Sequence, residues 1–181
     1  TYIEVASNDA ITFSTESFSI SVLVKIDDIS TGSDYNVVFK GNTSNDIDGH
    51  WYSMAFKNNE MRFAIDDAAN KTQLGLTDAD KYIKLGEWNH LVGIRDAEQD
   101  SLFIYVNGVK VASILDGTGD IASSLPLIIG NNTDHNNNIE GSLDELEIYG
   151  EALSAGEIAD LTAAYGLTPK VMSSVSTLSD L

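Results

Sequence analysis

Short runs of alternating apolar and polar residues, separated by turn residues along nearly the whole chain, restrict the fold to stacked antiparallel β-sheets. The cleanest run is Phe18–Ile26. It puts Phe18, Ile20, Val22, Val24 and Ile26 on one face and mostly polar side chains on the other, the period-two pattern of a half-buried strand. Shorter runs of the same kind follow at 36–40, 51–57, 61–65, 88–95, 102–107, 109–113, 127–130 and 143–149, and residues 2–5 already read as a strand. Strands this short and regularly spaced, with turn signals between them, belong to a sandwich or a barrel.

Local turn chemistry sharpens that reading. Asn107-Gly108 lies between two apolar runs and supplies the two positive-φ residues of a type I′ hairpin turn. The polar stretch 96–100 makes a second short connection, so residues 88–111 read as a three-stranded meander. One helix is expected: Ser154 and Glu157 form a capping box, Ile158 and Leu161 share a face, and Gly166 provides the left-handed residue that ends it. A single short helix does not make an α/β fold. The expected architecture is all-β, a two-sheet antiparallel β-sandwich with one short C-terminal helix. Periodicity is lost after Gly166, so residues 1–166 form the domain and 167–181 a linker or C-terminal tail.

Composition bounds the partners. A chain of 181 residues with 43% apolar content fills one sizeable core. Ten Lys and Arg against 28 Asp and Glu give a formal charge of −18, which repels nucleic acid and anionic membranes and favours solubility and cations. The absence of Cys removes disulfides, thiolate metal sites and thiol nucleophiles while leaving the compartment open. No apolar run approaches the roughly 20 residues of a spanning helix, so no membrane insertion is expected. The first residues lack the basic-then-apolar pattern of a signal peptide. The chain therefore reads as a mature form or a piece of a longer protein, with other domains of the same polypeptide as its neighbours.

Five blocks, Phe18–Lys25, 86–92, 102–111, 126–130 and 141–154 (Gly-Ser-Leu-Asp-Glu-Leu-Glu-Ile-Tyr-Gly-Glu-Ala-Leu-Ser), resemble in order the signatures of concanavalin A-like, laminin-G-like jelly-roll domains. The resemblance covers nearly the whole domain, although the strand that usually precedes Tyr2 is truncated. It implies two curved antiparallel sheets in a jelly roll, often with calcium at a loop edge. It also implies a superfamily holding carbohydrate-binding modules, adhesin lectins, pentraxin-like binders and some glycoside hydrolases and polysaccharide lyases.

Two loops are dense in oxygen ligands, residues 41–50 with Asn42, Asn45, Asp46, Asp48 and His50, and residues 131–138 with Asn131, Asn132, Asp134 and His135. Such groups suit a calcium ion, which takes six to eight oxygens, and they equally suit a polar surface loop, since Asp46 and Asp48 lack the glycine and distant glutamate of an EF-hand. Asn and Asp side chains also hydrogen-bond sugar hydroxyls, and an indole stacks on a pyranose face. Trp51 is the preferred stacking residue, with a core position at the strand start as the rival reading. Trp88 is expected in the core, beginning a buried alternation with His90, Val92 and Ile94, and His90 is expected as a satisfied, partly buried histidine.

Strict alternation turns Asp144 inward with Leu146 and Ile148, where an ionised carboxylate needs a partner or a metal. In similar domains the matching Asp helps hold a structural calcium, here with Asn8 and Asp9 nearby; hydrogen bonds from backbone amides are the alternative. Glu145 and Glu147 share a face, yet Tyr149 breaks the alternating acid pattern of the jelly-roll glycosidases, leaving solvated carboxylates as the simpler reading. Three His without Cys disfavour zinc, and neither a Gly-x-Ser-x-Gly elbow nor a phosphate loop is present.

The leading expectation is a non-catalytic, calcium-dependent domain binding a glycan or polysaccharide, part of a secreted or cell-surface bacterial protein. Its site residues are Asn42, Asn45, His50, Trp51, Asn131, Asn132 and His135, with Asp46, Asp48, Asp134, Asp144 and Asp9 as calcium ligands. A structural or protein-binding spacer is the alternative, followed by a glycoside hydrolase or lyase.

Overall fold

The computed structural model describes residues 1–30, 32–42, 50–132, 134–135 and 137–168. These form β1 (Ile3–Val5), β2 (Phe18–Ile26), β3 (Tyr35–Gly41), β4 (His50–Lys57), β5 (Glu60–Asp67), β6 (Lys71–Leu76), β7 (Trp88–Asp96), β8 (Ser101–Val106), β9 (Val109–Leu115), β10 (Leu127–Ile129), β11 (Gly141–Tyr149) and α1 (Ala155–Ala164). The strands make two antiparallel sheets, one of six in the order β1-β10-β3-β4-β5-β6 and one of five in the order β11-β2-β7-β8-β9. This is the two-sheet jelly-roll sandwich with one C-terminal helix that the sequence predicts.

The core lies between the sheets. From β2, Phe18, Ile20, Val22, Val24 and Ile26 are all buried against Tyr52, Met54 and Phe56 of β4 and Met61, Phe63 and Ile65 of β5. Phe18 anchors an aromatic cluster, 4.5 Å from Phe13 in parallel stacking, 5.1 Å from Tyr52 and 5.9 Å edge-on to Phe63 between ring centroids. Gly93 of β7 makes room for that cluster, because a Cβ there would lie 2.6 Å from the Phe63 ring. The β8–β9 hairpin turns on Asn107 (φ 48°) and Gly108 (φ 80°), the predicted type I′ geometry. At α1, the Ser154 hydroxyl accepts from the Glu157 amide while the Glu157 carboxylate accepts from the Ser154 amide, and Gly166 follows the helix at φ 72°.

Four expectations are corrected. Strand β6 escaped the sequence reading because Lys71, Gln73 and Gly75 alternate with Thr72, Leu74 and Leu76, too polar a run to stand out by itself. Trp88 is not a core residue: it is 38% exposed. The alternation from Trp88 through Ile94 faces outward, where Leu153, just before α1, and Ile158 of α1 cover Val92 and Ile94, a cluster that does not include Trp88. His90 lies under that cover and is fully buried rather than partly.

Asp144 is the fourth. The pairing of β11 with β2 slips between Asp144 and Glu147, and Glu145 sits in the slip at φ 47°. The extra residue reverses the faces expected from strict alternation, so Asp144 and Glu147 stand opposite Leu23 and Ser21 on the outer side. Asp144 is exposed and accepts the Glu145 amide at 2.9 Å. Of the expected tail, residues from 169 onward lie outside the described residues.

Candidate functional site

The outer face of the six-stranded sheet is built in cross-strand rows. Gly41, Trp51, Asp66 and Lys71 form one row, Phe39, Ser53, Ala64 and Gln73 the next, and Asn36, Ala55, Arg62 and Gly75 a third. Side chains in the middle of this grid are small, so the surface dips between larger residues at either end. A cleft of about 440 Å³ occupies the dip, walled by Asn132, Asp134 and Asn137 from the 131–138 loop and by Asp34.

Each end of the cleft has its own chemistry. At one end the Trp51 indole lies on the Phe39 ring, 5.8 Å between centroids at 27°, with Ala64 beside them and the Lys71 ammonium 5.2 Å over the indole. At the other end Asp34 accepts from Lys57 at 3.0 Å through Oδ2 and from Arg62 at 3.5 Å through Oδ1, while Arg62 Nε donates to Glu60 at 2.5 Å. These pairs hold long side chains at the cleft edge, where partial exposure keeps their energetic contribution small.

Asn131 organises the loop wall. It is 1% exposed, its Oδ1 accepts from the Asn132 amide at 2.8 Å and the Asn137 amide at 2.9 Å, and its Nδ2 donates to Asn138 Oδ1 at 2.9 Å. With every polar atom of its amide engaged inside the loop, Asn131 is a pin that sets Asn132, Asp134 and Asn137 along the cleft.

The remaining expected residues scatter. His50 faces the opposite side of β4 from Trp51 and its Nδ1 donates to the Ala122 carbonyl at 3.1 Å, so it does not line the cleft. His135 stacks on exposed Tyr2, 4.1 Å between centroids, outside the cleft. Asn42 is half-buried just past β3, also outside it. Asn45, Asp46 and Asp48 lie outside the described residues. Asp9 opens an exposed single turn capped by Asn8 and Asp144 sits on the β11 bulge; among the described residues no three His, Cys, Asp or Glu side chains gather to hold a metal ion.

Sequence reasoning missed Asp34, Asn36, Phe39, Ser53, Arg62, Lys71, Gln73 and Asn137 as cleft residues. The usable signal was the second face of β4: Trp51, Ser53, Ala55 and Lys57 alternate with Tyr52, Met54 and Phe56 of the inter-sheet core, and although Trp51, Ser53 and Ala55 are themselves buried they floor the cleft along the strand rather than at its tip.

Two buried polar groups lie away from the cleft. Lys40 Nζ donates to Ser7 Oγ, Ser123 O and Leu125 O at 2.8, 2.8 and 2.6 Å, and burial lowers the pKa of its amine. His90 Nδ1 lies 2.7 Å from Thr162 Oγ1 and Nε2 2.8 Å from Ser21 Oγ. Because the Thr162 hydroxyl donates to the Ile158 carbonyl at 2.7 Å, its oxygen must accept from Nδ1–H, leaving Nε2 to accept from Ser21. Burial pushes this imidazole down to about 4 against an upward pull from Glu147. Ser21 and His90 are sealed beneath α1, and this serine–histidine pair ties helix to sheet.

The family model for the concanavalin A-like lectin/glucanases superfamily matches residues 1–159. The chain belongs to that superfamily. No curated protein sequence matches it. Among solved structures, this lectin/glucanase-type domain is similar to the binding domain of Paraclostridial Mosquitocidal Protein 1, at 23% identity and a TM-score of 0.70, over 91% of this chain and 41% of that one. It is also similar to the binding domain of Botulinum Neurotoxin DC in complex with SialylT, at 18% identity and 0.68, over 90% and 39%. A third is domain 4 of AbnA, a GH43 extracellular arabinanase from Geobacillus stearothermophilus, in complex with arabinotriose, at 20% identity and 0.63, over 89% and 72%. These similarities establish the fold. The chain spans about two fifths of the toxin binding domains it matches. Among the described residues no helix is long and apolar enough to cross a membrane.

Proposed function

We propose that this domain is a non-catalytic carbohydrate-binding module of a larger extracellular or cell-surface bacterial protein, and that its glycan lies along the cleft on the outer face of the six-stranded sheet. The observation that carries the reading is the cleft's composition. A shallow floor of small residues leads from the Phe39–Trp51 pair, only 4% and 8% exposed and so offering an apolar edge rather than an open ring face, to a rim of amide, carboxylate and cationic groups, the mixture of apolar and hydrogen-bonding surface a sugar requires. Two similar domains being complexes with arabinotriose and SialylT adds support of the same kind.

The cleft carboxylates favour binding over hydrolysis. Glycosidic cleavage needs two carboxyl groups facing one bond, and here one of the two lining carboxylates, Asp34, has both oxygens engaged by Lys57 and Arg62. Calcium enters the proposal through Asp46 and Asp48 in the 41–50 loop together with Asp134 on the cleft wall, at an affinity of about 10⁻⁴ to 10⁻³ M as in extracellular modules.

The test is a glycan array followed by titration calorimetry with and without EDTA. Trp51→Phe should weaken the best ligand by about tenfold, equivalent to about 1.4 kcal/mol, with Trp51→Ala as the stronger perturbation, checked by circular dichroism because the indole is only 8% exposed and its truncation also costs stability. EDTA should weaken it further if calcium orders the loop. Binding that survives Trp51→Ala unchanged would overturn the cleft as the site.

A further inference from the structure

The two sheets end on four strands, β1 and β6 in one and β11 and β9 in the other. An edge strand offers its outer backbone groups to any strand that can lie beside it, and most edges carry features that discourage this. Three of these edges do. β1 is three residues long, β6 turns Lys71 and Gln73 to solvent, and β11 is broken by its bulge and carries exposed Asp144, Glu145 and Glu147. β9 differs. Its seven residues, Val109-Lys-Val-Ala-Ser-Ile-Leu115, hold no acid in a chain of net charge −18, and beyond a bulge at Val111 the run Ala112–Leu115 pairs regularly with β8. Ile114 and Leu115 are both exposed, and Leu115, at 77%, is the most exposed large apolar side chain among the described residues.

The strand is complementary to itself. Antiparallel pairing about a two-fold axis at Ser113 sets Ile114 beside Ala112 and Leu115 beside Val111 of a second copy, so each exposed aliphatic side chain meets an apolar neighbour across the seam. The same register sends Lys110, exposed and the one charged residue of β9, toward the end of the other copy where the 96–100 turn holds exposed Glu98 and Asp100. Opposite charges at the two ends of the strand thus favour the antiparallel arrangement and oppose the parallel one. We propose that β9 is the seam of a two-fold dimer of this chain, joining two five-stranded sheets into one of ten. With the axis normal to that joined sheet, both six-stranded sheets fall on the same side and both clefts open in the same direction, which suits simultaneous contact with a repeating polymer.

A seam one strand wide lies below the roughly 1,200 Å² of a standard interface, so the dimer is a weak one that forms as concentration rises from about 1 μM to about 1 mM. Sedimentation equilibrium of the whole chain across that range should show the mass doubling and stopping there. Leu115→Lys, at a position outside the core, should move the midpoint up by about tenfold or more. Cross-linking reads the register separately. The chain has no Cys, so Ser113→Cys places the only thiol of each copy at the axis, where paired strands hold their Cα atoms about 4.5–5.5 Å apart, within reach of a disulfide. Oxidised glutathione should link this variant roughly tenfold faster than Ser142→Cys, an exposed serine on the β11 edge. A chain that stays monomeric throughout, a mass that climbs past the dimer, a dimer indifferent to Leu115→Lys, or equal cross-linking at both positions would each overturn the proposal.

Discussion

Lowering the pH loads His90 with a proton in the unfolded chain well before the folded protein accepts one. Its imidazole is fully buried, wedged between Ser21 of β2 and Thr162 of α1, with the Tyr165 ring edge-on at 5.2 Å and Glu147 as the nearest opposing charge. Burial lowers its pKa from 6.5 to about 4. Between those values the unfolded state binds more protons than the folded one, so stability is complete above about pH 6.5 and drains away as the pH falls toward 4. A displacement of about 2.5 units at 1.36 kcal/mol each amounts to about 3 kcal/mol by pH 4. That is a substantial share of the 5–15 kcal/mol typical of a domain. Urea unfolding followed by fluorescence of Trp51 and Trp88 at several pH values, in wild type and His90→Gln, isolates this contribution. Glutamine keeps hydrogen-bonding capacity without titrating. The depressed carboxylates Asp28, Asp67, Asp120 and Glu157 lose their stabilisation only as the pH falls below their ordinary values of 3.8 to 4.5, and they cancel in the comparison. Wild type should lose about 3 kcal/mol more than the variant between about pH 7.5 and 4. Parallel losses in the two proteins would refute the neutral, buried His90.

Other perturbations follow from single contacts. Gly93→Ala drives a methyl to within 2.6 Å of the buried Phe63 ring and should destabilise by about 1–3 kcal/mol in chemical unfolding, with Phe63→Leu in the same chain recovering part of the loss. Lys40→Met strips one donor from Ser7, Ser123 O and Leu125 O at once; a loss of about 2 kcal/mol and faster amide exchange around residues 122–126 are expected. Asn131→Ala removes the loop pin and should weaken glycan binding by about tenfold, whereas Asn131→Asp, which retains the acceptor for the Asn132 and Asn137 amides, should keep more of it. Ser154→Ala breaks the capping box and should cost about 1 kcal/mol, read from the urea midpoint.

Much of the architecture was legible residue by residue. Phe18–Ile26, the Asn107-Gly108 turn and the Ser154–Glu157 cap announce themselves because each depends on local geometry: side-chain alternation, positive φ at two adjacent residues, and a helix N-terminus that must satisfy its own amides. Alternation alone, however, cannot say which face meets the other sheet, which meets a helix and which stays open. It sent Trp88 to the core, when the outward row it heads is buried only where α1 passes over it. It sent Asp144 inward, because one bulge residue reverses every side chain beyond it.

The candidate site divides the same way. Trp51, Asn132 and Asp134 could be named from residue type in polar loops, and the structure brings them together with partners from β3, β5 and β6. Those partners are far apart in the chain and unremarkable in type; Lys71 and Gln73 sit in a strand whose pattern was too polar to notice. By itself, then, the sequence determined the strands, the turns, the helix and the all-β class, since each follows from interactions among near neighbours. Strand order, the open outer face of the six-stranded sheet and the gathering of three cations in a chain of net charge −18 were decided only by tertiary pairing. Cross-strand neighbours are set by register between segments dozens of residues apart, and no local pattern carries that information.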